Sequence, residues 1–227
     1  MRYMKYKILI MALSITLIIS LSACSQSDVV GKVAKTSFKS VLEAMPNEIK
    51  EDEINGGWSL SAPDESARFI WSKDYSKSPM HDIMIEFDAK PFINAGLDVS
   101  KLPKGIFLED KIMLGTELGN DELKYSGKPT PSASFNKLVE NYRKSIGYHE
   151  ALDHYGVDLG DGNKFEWAKD MGTNDKDIVF VVNPEIFINA GVNPDKVEGW
   201  KYADVETKDD SGKPIKVKKF LKPFDIK

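Results

Sequence analysis

The sequence predicts an α+β fold built twice in tandem, each copy an N-terminal helix followed by an antiparallel sheet with a short inserted helix. Two observations carry this. The chain matches itself at a spacing of 95 to 97 residues, and each copy passes from a helical apolar stripe to short runs bounded by turn residues. Phe92-Ile93-Asn94-Ala95-Gly96 recurs as Phe187-Ile188-Asn189-Ala190-Gly191. Upstream, Asp82-Ile83 corresponds to Asp177-Ile178, and Arg68 through Asp74 to Lys164 through Asp170. Ser37-Phe38 corresponds to Ser134-Phe135; downstream, Ser126-Gly127-Lys128-Pro129 is echoed by Ser211-Gly212-Lys213-Pro214 at a spacing that has drifted. An ordered series at one spacing is a repeat, not a coincidence of composition.

The first helix is predicted by Ala34, Phe38, Val41, Leu42 and Met45, which fall on one face and stop at Pro46. Strands are expected over Trp58–Ala62, Arg68–Ser72, Asp82–Asp88 and within Ile106–Leu118. Tyr125–Ser134, rich in Pro, Ser and Gly, reads as the linker. The second helix is predicted by Phe135, Leu138, Val139, Tyr142 and Ile146, with Ser134 as its N-cap. Strands follow over Lys164–Ala168, Asp177–Asn183, Trp200–Thr207 and Ile215–Leu221. Each Phe-Ile-Asn-Ala-Gly reads as a short helix closed by a left-handed glycine. One asymmetry stands out. Met84 and Glu86 make one face of Asp82–Asp88 half solvated, whereas Val179 and Val181 predict a second-copy strand covered on both faces. Functional residues are expected where the copies differ.

The chain opens with Arg2, Lys5 and Lys7, continues with a mostly aliphatic run from Ile8, and reaches its one cysteine in Leu21-Ser22-Ala23-Cys24. A basic start, a short apolar run and small residues form the layout of a secretory signal. The run falls short of the about 20 apolar residues that span a bilayer, and Ser14, Thr16, Ser20 and Ser22 interrupt it. Leu-Ser-Ala-Cys resembles the lipobox of bacterial lipoproteins. The resemblance implies that residues 1–23 are a signal peptide and that Cys24 carries diacylglyceryl and palmitate-type acyl chains. It implies that residues 24–32 are a lipidated tether and that the domain is anchored outside the cytoplasm. Acyl chains contribute about 0.8 kcal/mol per buried methylene, so two of them hold without a transmembrane helix. The repeats are then expected over 33–129 and 130–227.

Losing the three basic residues of the signal leaves 28 basic against 35 acidic side chains. Such a chain is a poor nucleic-acid binder, and its acyl chains rather than its charge must hold it on a membrane. With Cys24 acylated, disulfides and thiolate chemistry are excluded.

The candidate constellations have plainer readings. His149-Glu150-Ala151-Leu152-Asp153-His154 places its histidines one residue too far apart for a shared helix face, so a charged helix end is expected and no metal site. His81 is expected to be solvated. Asp158, Asp161 and Asn163 lack the spacing of a calcium loop and read as a turn. Ser134-Phe135-Asn136-Lys137 matches a loose Ser-x-x-Lys pattern but reads as a cap and a solvated lysine. Trp71 and Trp167 are expected in the core; Trp58 and Trp200, which lack aromatic partners in the other unit, are the candidates to face a ligand. No catalytic residue and no cofactor is assigned. The sequence therefore points to a non-catalytic ligand- or partner-binding module of the cell envelope. Its alternatives are an envelope hydrolase with a site in a groove between the repeats, or a structural assembly factor.

Overall fold

Two six-stranded antiparallel sheets of identical strand order form the body of the protein in a computed structural model describing residues 29–75, 81–118, 124, 126–172, 176–209 and 211–226. The expected signal segment and Cys24 lie outside the described residues. Residues 29–32, expected in the tether, already belong to a helix, α1, described over 29–44.

The first sheet is built from β1 (Ile49–Asp52), β2 (Gly57–Ser61), β3 (Ala67–Ser72), β4 (Ile83–Asp88), β5 (Phe107–Leu108) and β6 (Lys111–Thr116), in spatial order β1-β2-β3-β4-β6-β5. Helix α2 (Lys90–Asn94) sits between β4 and β5. Helix α3 (Pro131–Asn141) opens the second repeat. Its sheet comprises β7 (Ile146–His149), β8 (His154–Asp158), β9 (Lys164–Ala168), β10 (Ile178–Val182), β11 (Lys201–Lys208) and β12 (Pro214–Phe224), with α4 (Glu185–Asn189) between β10 and β11. The order β7-β8-β9-β10-β12-β11 repeats that of the first sheet.

Three expectations are corrected here. The N-cap of α3 is Thr130, whose side chain accepts from the Ala133 amide at 3.2 Å, with Pro131 at the first turn. Ser134 is one turn inside and buried. The helix ends at Asn141, so Ile146 starts a strand rather than closing the helical stripe. The segment from His149 to His154 is the turn of a β7–β8 hairpin that sets the two histidines opposite each other. The edge strands β1 and β7, and β8 beside β7, are absent from the sequence expectation; they are only four or five residues long.

The inner faces of the sheets share one core, and matched residues meet across it. Phe38 stacks on Phe135 with ring centroids 3.6 Å apart, Phe69 on Phe165 at 4.3 Å, and Phe92 meets Phe187 at 4.8 Å. The Asp98 amide donates to Ala190 O at 2.9 Å, and the matched Asn193 amide to Ala95 O at 2.8 Å. A residue touches its own copy only about a twofold axis, so the repeats are related by a pseudo-twofold. Helices α1 and α3 run antiparallel, since Lys35 pairs with Glu140 while the later Phe38 meets the earlier Phe135. Each helix is hydrogen-bonded to the other repeat's sheet. Trp167 Nε1 donates to Ser37 Oγ at 2.8 Å, and Trp71 Nε1 to Pro131 O at 3.2 Å. Among the described residues, the space expected to form a groove between the repeats is filled by these rings.

The repeated motif explains itself at this axis. Gly96 and Gly191 have φ of +107° and +102°, and a β-carbon on Gly96 would lie 2.8 Å from Gly191 O. Glycine is required twice over, by backbone conformation and by close approach. Gly96→Ala is expected to cost about 1–3 kcal/mol in urea unfolding, whereas Gly127→Ala, with open space around it, should leave the midpoint unchanged.

Candidate functional site

With the inner faces consumed by packing, the outer face of each sheet is what the protein can present to a ligand. Strand alternation sends Phe69 and Trp71 inward and Arg68, Ile70 and Ser72 outward. The outer face of the first sheet carries a groove of about 580 Å³, lined among others by Lys50, Asp52, Ser59, Ser61, Arg68 and Glu86. Arg68 organises it. Its Nε and Nη2 donate to the two oxygens of Glu86 at 3.0 and 2.8 Å, a bidentate fork, and Nη1 lies 3.2 Å from Asp52 Oδ2. Asp52 is further held by the backbone and side chain of Asn55. Lys50 pairs with Glu65 and Lys111 with Asp88. The groove is thus walled by ion-paired charges, with acidic side chains in excess of basic ones along its lining.

The outer face of the second sheet differs. Strands β11 and β12 form a hairpin of eight and eleven residues, against two and six in β5 and β6. The sheet curls until its edge strands meet: His149 Nε2, in β7, lies 3.1 Å from Glu206 O in β11. His149 Nδ1 lies 3.4 Å from Glu166 Oε2, and the Glu166 side chain is almost fully buried. Gly156 makes room for it, since a β-carbon there would stand 3.1 Å from Glu166 Cγ. Both ring nitrogens face acceptors, an arrangement that only the doubly protonated imidazolium satisfies. The Glu166 carboxylate accordingly holds the His149 pKa above its ordinary value, against the opposing effect of burial.

The anticipated asymmetry between the sheets takes another form. Met84 is as buried as its counterpart Val179, so both central strands are covered on both faces. What differs is chemistry, because Glu86 stands where Val181 does.

Trp71 and Trp167 are fully buried, as expected. Trp58 and Trp200, the candidates to face a ligand, are half-buried and packed against the core. The register matches Trp58 with Tyr155, at the same spacing as Ser37 and Ser134, so the expectation that Trp58 lacks an aromatic partner in the other unit is corrected. Trp58 Nε1 donates to Ser134 Oγ at 3.3 Å, and Trp200 packs against Phe87 and Phe92. Ser134 Oγ in turn donates to Lys73 O, and Lys137 pairs with Glu140, so the Ser-x-x-Lys match is structural. Asp158 and Asn163 brace a turn, Asp158 accepting from the Gly160 amide and Asn163 Oδ1 from the Asn183 amide. His81 is exposed. Among the described residues no three His, Cys, Asp or Glu side chains converge as a metal site, and no helix is long and apolar enough to cross a membrane. Cys24 lies outside the described residues. Sequence reasoning missed Arg68–Glu86–Asp52 and His149–Glu166; the i, i+2 signal for outward-facing charge in β3 and β4 was present in Arg68 and Glu86.

No protein-family model, no curated protein and no solved structure matches this chain.

Arg68→Met strands two buried carboxylates. It should destabilise by about 2 kcal/mol in urea unfolding, less than a fully buried pair because the guanidinium is partly exposed; Arg68→Lys should recover only part, having lost the fork. His149 carries a pH signature. Its pKa is raised on folding, so its stabilisation is complete below the ordinary value of 6.5 and is lost as pH rises through the elevated one. Thermal unfolding of the wild type should fall across that window, and His149→Gln should flatten the fall.

Proposed function

We propose that this chain is a lipid-anchored, extracytoplasmic binding module of the cell envelope, tethered through acyl chains on Cys24 and free of catalysis of its own. The observation that supports binding is the groove on the first sheet. Its charged walls are cross-braced by the Arg68 fork, so a polar ligand meets a preorganised surface and little side-chain freedom is lost on association. The anchor rests on the Leu-Ser-Ala-Cys segment. An envelope hydrolase would draw on His149 and Glu166, the His–acid pair with a raised histidine pKa. Both nitrogens of His149 are already committed to acceptors and Glu166 is buried, so a substrate finds neither base nor acid to meet. That favours capture over turnover.

Two measurements test the halves separately. Cys24→Ala should move the protein from the detergent phase to the aqueous phase in cloud-point partitioning; an unchanged distribution removes the anchor. Native mass spectrometry of the detergent-extracted chain from its host should show a bound small molecule or partner. Bare chain in every gentle preparation would remove tight capture.

A further inference from the structure

Four outward positions tell the two sheets apart. The register equates Arg68 with Lys164, Glu86 with Val181, Asp88 with Asn183, and Lys111 with Lys219. In the first repeat both cations are neutralised in place, Arg68 by Glu86 at 2.8 Å and Lys111 by Asp88 at 2.5 Å. The second repeat keeps both cations and replaces both of these counter-charges, one with an aliphatic side chain and one with an amide; Asp158 of β8 stands opposite Lys164 where the first repeat has Ser61, but forms no ion pair with it among the described residues. Every other basic residue on these strand faces that faces an acid across the ladder has a partner, such as Lys216 with Glu206 and Lys218 with Asp204. Lys164 and Lys219 make no ion pair or side-chain hydrogen bond among the described residues.

Their surroundings suit an anion. Lys219 is half-buried, and burial together with the Lys164 charge pushes its ammonium below the usual lysine value. Its Nζ rests against the β8–β9 turn, 2.6 Å from where a β-carbon on Gly162 would stand. In that turn Gly160, Asp161 and Gly162 all have positive φ, at 85°, 52° and 75°. The Gly160 amide is taken by Asp158 and the Asn163 amide by Gly160 O. The amides of Asp161 and Gly162 donate to nothing among the described residues. Successive turn amides of this kind form anion-binding concavities. Three acids are near: Asp161 lies in the turn itself, Asp158 stands opposite Lys164 in the ladder, and Glu185 is close enough to act on Lys219. None of them pairs with either lysine; Asp158 and Glu185 act on Lys219 only at longer range.

We propose that Lys164, Lys219 and the open amides of the 160–162 turn form a binding site for a phosphate group. Two ammoniums offer two point charges, which match the charge and the several oxygens of a phosphate better than one carboxylate. The excess of acidic side chains over the whole chain opposes diffuse attraction of anions, so binding here is local. The site deepens the binding-module reading and rests on it. The phosphate can come from a free solute or from the phosphodiester of a lipid headgroup.

The test is calorimetric titration of the detergent-solubilised full chain with inorganic phosphate and, separately, with glycerophosphoglycerol as a soluble headgroup. Saturable phosphate binding is expected for wild type and for Lys111→Gln, the matched position in the first repeat. Lys164→Gln/Lys219→Gln should weaken it at least tenfold while leaving the unfolding midpoint in place. Binding of phosphate alone assigns a solute; binding of glycerophosphoglycerol as well assigns a headgroup. Absence of binding to wild type, or equal binding by the double variant, overturns the site. A different ligand recovered by native mass spectrometry would then still leave the wider binding reading standing.

Discussion

Everything in this structure hangs on phenylalanines that pack against their own copies. Phe38 on Phe135, Phe69 on Phe165 and Phe92 on Phe187 lie along one pseudo-twofold axis, and each repeat supplies the apolar cover that the other lacks. A single sheet with one helix leaves an inner face too large for that helix to cover. Facing a copy of itself solves the problem with the same sequence used twice. The indole-to-helix hydrogen bonds across the repeats, from Trp71 to Pro131 O and from Trp167 to Ser37, hold each helix over the partner sheet. Neither repeat therefore completes its core alone.

The axis imposes a constraint that reaches back into the sequence. A side chain on a twofold must tolerate its own image. Gly96 and Gly191 stay glycine because each backbone sits where the other's β-carbon would go. The identical five-residue motif is thus a packing device, with its phenylalanines in the core and its glycines at the closest approach of the two halves.

Away from the axis the copies are free to differ, and their outer faces do. The first sheet fills its outer positions with a closed set of charges around Arg68. The second substitutes Val181 and Asn183 for the acids, lengthens its last hairpin and curls until His149 joins the two sheet edges. The central strands β4 and β10 are covered on both faces, so there the difference is one of charge and not of burial. The same scaffold presents a groove braced by the Arg68 fork on one side and, on the other, two lysines that form no ion pair among the described residues.

The strands with clear alternation or dense apolar content, β2, β3, β4, β9 and β10, are legible within a residue or so, as are the existence of both long helices, the end of α1 and the closing glycine of each motif. The repeat spacing made the symmetric fold legible too. Short edge strands were not: Ile49-Lys50-Glu51-Asp52 has one apolar residue, and Ile146-Gly147-Tyr148-His149 continues the helical stripe of α3 by chance of spacing. Ser134 looked like a cap because it precedes the apolar stripe, yet the helix starts a turn earlier at Pro131. The candidate sites were less legible still. Local pattern decides which way a side chain points, and it did so for Arg68 and Glu86 from the sequence alone. It does not say which strand lies alongside. Only the sheet register sets Arg68 between Asp52 and Glu86, brings Lys219 to the place of Lys111, and carries His149 across to Glu206, because these contacts join residues tens of positions apart through backbone hydrogen bonds that no local composition encodes.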